Sequence, residues 1–237
     1  MKEKIRNERL YPRWTNPRYY GLIGLRKAIE LMIEKYISST ENKIAVDLGC
    51  GSMPYRPLFE PKLKSYLGAD ISLNKSADLL MDINTGKVSV ADEVADFIIS
   101  TQVLEHVISP ENYLNEAHRI CKENGLMFIS THGFWLYHPD PNDYWRWTAS
   151  GLRKILNNNG WEVIEIVGLI GFAAAAMSLF QDAIATRLPG FLKKPFGIFM
   201  QRVVAFCDSF YTPEGRQENA VLYLVVAKKR GNENSGN

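Results

Sequence analysis

The stretch Lys43-Ile-Ala-Val-Asp-Leu-Gly-Cys-Gly51 constrains this chain more than any other. A short apolar run closed by two glycines reads as a buried strand entering a tight turn, where glycine takes backbone angles other residues avoid. Comparable runs recur at 65–70, 78–82, 95–100, 126–130, 161–167 and 220–227. Helical stretches lie between them. Residues 20–36 carry apolar side chains at three- and four-residue steps. A second helix has Ser109 as its N-cap, Pro110 at the first helical position and Gly125 just past its end, and Thr148 caps a third that stops at 157–160. Strands alternating with helices predict an α/β fold, a mainly parallel sheet wrapped by helices on both faces.

Charge and cysteine content narrow the function. With 28 basic against 26 acidic side chains the net charge is +2, which excludes a nucleic-acid binder that relies on overall excess charge. Three cysteines are too few for a disulfide framework, and the N-terminus, charged from its second residue, has no apolar signal segment. A cytoplasmic protein with free thiols is expected.

In an open α/β sheet the ligand sits at the carboxyl ends of the strands, near the point where strand order reverses. Asp47 precedes Gly49 and Gly51 in the first strand's turn, Asp70 ends the second strand, and Asp82 ends the third. Asp70 is placed to accept both hydroxyls of a ribose. Asp82 could accept from an exocyclic amine with the Ile83 amide beside it. A dinucleotide fold wants a third glycine where this chain has Pro54, and an acid at 47 would repel a diphosphate but suits an ammonium group.

These residues resemble the class I S-adenosylmethionine-dependent methyltransferases, the closest branch being the type 11 enzymes. Four segments carry the resemblance: 46–59 around Asp47-Leu-Gly-Cys-Gly51, 67–71, Ser100-Thr-Gln-Val-Leu-Glu-His-Val107, and Asp143-Tyr-Trp-Arg-Trp-Thr148. It covers roughly 43–168, with a return at 220–229. It implies a Rossmann-like seven-stranded sheet with strand 7 antiparallel. It further implies that Gly49 and Gly51 line the methionine part of S-adenosyl-L-methionine, with Asp47 holding its ammonium through water or the adjacent backbone. Asp70 with Ile71 beside it would take the ribose, Asp82 and Ile83 the adenine, and Thr101 and Gln102 would lie beside the sulfonium. The sequence departs at 53, where many relatives have glycine and this chain has methionine.

The implied reaction is in-line displacement of the sulfonium methyl by an acceptor nucleophile, with the protein supplying alignment and water exclusion. The loop 131–147 is dense in chemistry, and in this fold it faces the transferred methyl. His132 or His138 could be the general base, with Asp143 orienting it and Arg146 holding an anionic substrate group; equally, Asp143 and Arg146 could pair structurally. Related quinone-biosynthesis methyltransferases carry Glu-x-x-Glu-His and bind a divalent metal. Here Gln102 replaces the first carboxylate before Glu105 and His106, so no metal is expected.

The expected organisation is an arm and helix at 1–41, a cofactor-binding core at 42–168, a helical insertion at 169–219, a last core strand at 220–229 and a disordered tail at 230–237. Residues 1–20 carry six basic and two acidic side chains with Trp14, Tyr19 and Tyr20, as an arm lying over something would. In the insertion region, 166–181 has no charge in 16 residues, short of the roughly 20 that a membrane span needs. Residues 183–207 hold Arg187, Lys193, Lys194 and Arg202, no acid, and Phe191, Phe196, Phe199 and Phe206. Three roles are open for it: a lid over the site, a surface for membrane contact through 169–207 or for a lipid-linked substrate, or a face between copies, which leaves the oligomeric state open. The chain therefore reads as a methyltransferase for a small-molecule or glycan-like acceptor, with a quinone-type C- or O-methyltransferase and a catalytically silent cofactor-binding partner subunit as alternatives.

Overall fold

The structure, a computed structural model, describes residues 8–38, 42–71 and 74–231. Seven strands form one sheet: β1 (Ile44–Leu48), β2 (Ser65–Asp70), β3 (Leu79–Leu80), β4 (Ala95–Thr101), β5 (Cys121–His132), β6 (Trp161–Leu169) and β7 (Leu222–Lys229). The helices are α1 (Tyr19–Tyr36), α2 (Arg56–Phe59), α3 (Pro110–Ile120), α4 (Ala149–Asn158), α5 (Phe172–Ala185), α6 (Gly190–Asp208) and α7 (Pro213–Glu218). The strand order is 3-2-1-4-5-7-6. The neighbours from β3 to β5 are parallel, and β7 runs antiparallel between β5 and β6. The order reverses between β1 and β4, which puts the ligand crevice at their carboxyl ends.

Both faces of the central strands are buried, so they read as unbroken apolar runs. Along β4, Ile98 faces a core shared with Leu114, Ile120, Leu152, Leu156 and Trp161, whereas Phe97 and Ile99 face one shared with Ile29, Met32, Phe59 and Phe128. The first core lies under α3 and α4, the second under α1 and α2. The capping residues act as the sequence implies: Ser109 Oγ accepts from Asn112 N and Thr148 Oγ1 from Gly151 N.

Three local expectations shift. The helix capped by Ser109 ends at Ile120, because Cys121 turns extended (φ −73°, ψ 136°) and pairs with Ala95 of β4. Gly125 is therefore no helix cap; a Cβ there would collide with Cys121 Sγ. The third strand shrinks to two residues, since Asp78 leaves it to accept from Gly68 N and Met81 bridges to Val88 instead. The uncharged run 166–181 is divided between the end of β6 and a helix of 14 residues. Among the described residues no helix is long and apolar enough to cross a membrane. The expected tail lies outside the described residues from 232 on, as does the arm before residue 8.

Candidate active site

A cavity of about 860 Å³ opens at the carboxyl ends of β1, β2, β4 and β5. The turn after β1 forms one wall. Gly49 (φ +69°) fits beneath Val103, where a Cβ would stand 2.6 Å from its Cγ1. Gly51 (φ +51°) faces open space instead, so a side chain there would project toward a bound ligand. Met53 adopts φ +52°, a left-handed conformation that glycine takes most easily, at a cost of roughly 1 kcal/mol. Asp70 shapes the same wall: its Oδ2 accepts from Gly51 N at 2.9 Å and its Oδ1 from Ile71 N at 2.8 Å.

Asp70, Ile71, Asp82, Ile83, Thr101 and Gln102 all line this cavity with Gly49 and Gly51. Asp82 Oδ1 accepts from Asn84 N, Thr85 N and Thr85 Oγ1, and these bonds hold the carboxyl below its ordinary range. Gln102, at φ +58°, is fixed to β5 by its backbone N and its Nε2, which donate to Ser130 O and Oγ. No cation lies among the lining residues from Gly49 to Gly86, so this end suits a ligand with a positive centre and free hydroxyls.

Asp47 does not line the cavity. It lies behind the turn, where it accepts from Tyr66 O–H at 2.7 Å while its Oδ1 has no partner. Burial pushes its pKa up to about 7. The folded chain thus holds a proton there that the unfolded chain has lost above its ordinary carboxylate range, and stability falls as pH rises through that interval. Asp47→Asn carries no such charge. Its thermal midpoint is expected to match that of the native chain near pH 4 and exceed it at pH 8, checked by melting both across that range.

The far end of the cavity is built by β5 and the loop after it. His132, at the end of β5, is buried and stacks on Trp135 with ring centroids 5.5 Å apart. Its Nε2 stands 3.6 Å from Glu105 Oε1, and His106 Nε2 lies 3.9 Å from the same oxygen. His138 meets both rings edge-on, at 4.8 Å from His132 and 5.1 Å from His106. Burial, with the neighbouring basic side chains second, holds His132 well below the ordinary imidazole range, so it is neutral at pH 7. Glu105 is fully buried; its Oε2 accepts from Thr131 Oγ1 while its Oε1 has no hydrogen-bond partner. Sequence reasoning treated Glu105 apart from the loop histidines. No local signal marks their meeting: Glu105 follows β4 and His132 ends β5, and only the pairing of these neighbouring parallel strands brings the two together.

Asp143 and Arg146 do not reach the cavity. Arg146 uses all five N–H groups within the chain: two to Asp143 at 2.6 Å, and one each to the carbonyls of Trp135, Leu136 and Trp145. The expected clamp on a substrate anion is corrected accordingly, because no donor remains for it. Asp143 keeps part of its expected part, accepting from His138 N and lying 3.4 Å from His138 Nδ1. Together the pair fixes the loop that presents His138.

The arm and the insertion complete the enclosure. Gln181 of α5 and Gln201 of α6 bond to each other, and both donate to Pro17 O. Gln201 Oε1 accepts from Tyr20 N, and Arg18 pairs with Asp182 and lies 4.4 Å over the Trp135 ring. Pro17, Arg18, Tyr20, Ser178, Gln181, Gln201 and Val204 face the cavity.

Residues 24–166, more than half of the chain, match the family model described as a methyltransferase domain. No curated protein matches the chain. Among solved structures it is similar to the [4+2]-cyclase SpnF, at TM-score 0.56 and 16% identity over 86% of this chain and 80% of that one. It is also similar to Haemonchus contortus phosphoethanolamine N-methyltransferase 2 in complex with S-adenosyl-L-methionine, at TM-score 0.52 and 15% identity over 95% of this chain and 59% of that one. At such identities these likenesses speak to the fold alone, and one of them is named as a cyclase.

Proposed function

Because the chain belongs to the methyltransferase-domain family, we propose that this S-adenosyl-L-methionine-dependent methyltransferase acts on a hydroxyl of a small, glycan-like acceptor carried on a lipid. The observation that carries this reading is the histidine cluster across the cavity from the glycine turn, with buried His132 neutral at its centre. The residues around that turn fit the cofactor: the open face of Gly51 leaves room for it, and Asp70 offers a carboxylate at the end of β2 that would accept from its ribose hydroxyls. When bound, it supplies a methyl group already activated by the positive sulfur. The chain's own residues then do three things. Thr101 and Gln102 wall the cofactor end from β5; the roof of arm and insertion excludes water; and the imidazoles of His132 and His138 stand ready to take the proton that a hydroxyl must lose.

Gln201 spends both of its N–H groups within the roof, but Gln181 keeps one N–H that a hydroxylated acceptor could use. A lipid anchor is supported by the outer side of the insertion. Phe191, Phe199, Phe206 and Phe210 are exposed there among Arg187, Lys193, Lys194 and Arg202. Phe199, Arg202 and Phe206 share one face of α6 by their spacing. Exposed aromatics set among cations favour an anionic lipid surface. Phe172 stacks edge-on against Phe134, next to the cavity residue Trp135, so this apolar side adjoins the chamber.

Incubation of the protein with methyl-labelled cofactor and a crude lipid extract tests both parts. Label is expected in the organic phase and is expected to survive alkali, as an ether does. Label released by alkali would mean a carboxylate acceptor, and label confined to the aqueous phase would remove the lipid anchor.

A further inference from the structure

We propose that Glu105, His132 and His138 form a site for a divalent transition-metal ion, which holds the oxygen of the methyl acceptor. Each residue offers one ligand atom, and the three atoms lie within 4.8 Å of one another. In a four-coordinate site with bonds of about 2.0–2.2 Å, ligand atoms stand about 3.3–3.6 Å apart. His132 Nε2 and Glu105 Oε1 are already at 3.6 Å.

Three features point to an ion rather than to a set of ordinary buried polar groups. Glu105 Oε1 is fully buried and aimed into the cluster without a hydrogen bond, whereas its Oε2 is fixed by Thr131. A buried carboxylate oxygen without a partner is costly, and a cation is the partner that removes the cost. His138 is oriented as a ligand usually is: its Nδ1 lies 3.0 Å from Leu136 O, so the ring donates to backbone and turns its Nε2 lone pair free, whereas the Nδ1 of buried His132 has no hydrogen-bond partner. The loop that carries His138 is held in turn by Arg146, which donates to Leu136 O, and by Asp143, which accepts from His138 N.

Two imidazoles and one carboxylate suit zinc, iron(II), manganese or cobalt(II) better than magnesium or calcium, and three protein ligands leave positions open. His132 and His138 line the cavity, so an open position faces the acceptor's end of it. This assignment rests on the methyl-transfer reading for the acceptor, but the ion site itself does not. In the step it serves, the acceptor's hydroxyl gives its proton to water on coordination. Its oxygen then bonds to the methyl carbon as the carbon–sulfur bond breaks, and that electron pair stays on sulfur. The ion lowers the proton affinity of the oxygen, and water then takes the proton that His132 and His138 would accept in the absence of the ion.

The test uses cobalt(II), whose visible absorption reports nitrogen and oxygen coordination, on the full chain after treatment with a chelator. One ion per chain is expected to bind. Glu105→Gln, His132→Ala and His138→Gln are each expected to weaken binding by more than the roughly 10–100-fold that losing a supporting hydrogen bond costs. His118→Ala, a histidine packed edge-on against Trp161 on another part of the fold, is expected to bind as the native chain does. His138 is half-exposed on a loop, so its variant remains informative if the buried substitutions fail to fold. The proposal is overturned if the native chain binds no cobalt at micromolar concentration, or if the three variants bind as tightly as it does. Calorimetry with S-adenosyl-L-methionine on the same proteins separates the two readings, since loss of cofactor binding with cobalt retained counts against methyl transfer alone.

Discussion

Asp70→Ala is expected to weaken S-adenosyl-L-methionine binding by about 100-fold or more. Hydrogen bonds to a charged group contribute roughly 1.5–3 kcal/mol each, and a ribose offers two hydroxyls to one carboxylate. The loss has a second part. Asp70 also accepts from the Gly51 and Ile71 amides, so without it the glycine turn loses the anchor that holds its open face toward the cavity. Asp70→Asn is no rescue, because its NH2 would meet one of those two N–H donors. Calorimetric titration of both variants checks this, with thermal melting to show that each is folded. Native-like affinity in Asp70→Ala would mean that the nucleoside does not sit at the end of β2.

Arg146→Ala is expected to destabilise the fold by about 3 kcal/mol, since it leaves the Asp143 side chain, 1% exposed, without its guanidinium and with His138 alone beside it. That corresponds to a fall of roughly 6–12 °C in the melting midpoint for a chain of this size. The substitution also frees the carbonyls of Trp135, Leu136 and Trp145, and with them the loop that presents His138. Melting with and without the cofactor gives the measurement. A variant with an unchanged midpoint that no longer turned over an acceptor would restore the substrate-anion role that the geometry removes.

The fold was legible where its signals are local. The Ser109 and Thr148 caps, the glycine turn and the apolar runs are set by neighbours in sequence, and the structure has them. The ends that shifted depend on distant partners: Cys121 leaves its helix because Ala95 of β4 is there to pair with it, and Met81 leaves its strand for Val88. The same division holds in the site. The residues expected around the nucleoside end line the cavity, Asp47 excepted, because a strand's carboxyl end fixes where its next side chains go. The pairing of Asp143 with Arg146 was one of two readings left open by their i, i+3 spacing, and only the carbonyls of 135, 136 and 145 decide it. The meeting of Glu105 with His132 depends on the register between β4 and β5, which no local pattern encodes.

The left-handed turn at Met53 has a consequence for how this corner can change over generations. A Cβ on Gly68 would stand 2.8 Å from Cys50 Sγ and 2.9 Å from Met53 Sδ, so the two sulfur atoms fill the space that a side chain on β2 would need. Glycine at 53 would relax the backbone but empty part of that space, and a larger residue at 68 is admissible only after the Met53 sulfur has gone and Cys50 Sγ has turned aside. Positions 50, 53 and 68 are therefore expected to drift as a linked set: homologues with glycine at 53 should be the ones that tolerate alanine at 68, and the two changes should seldom be found apart.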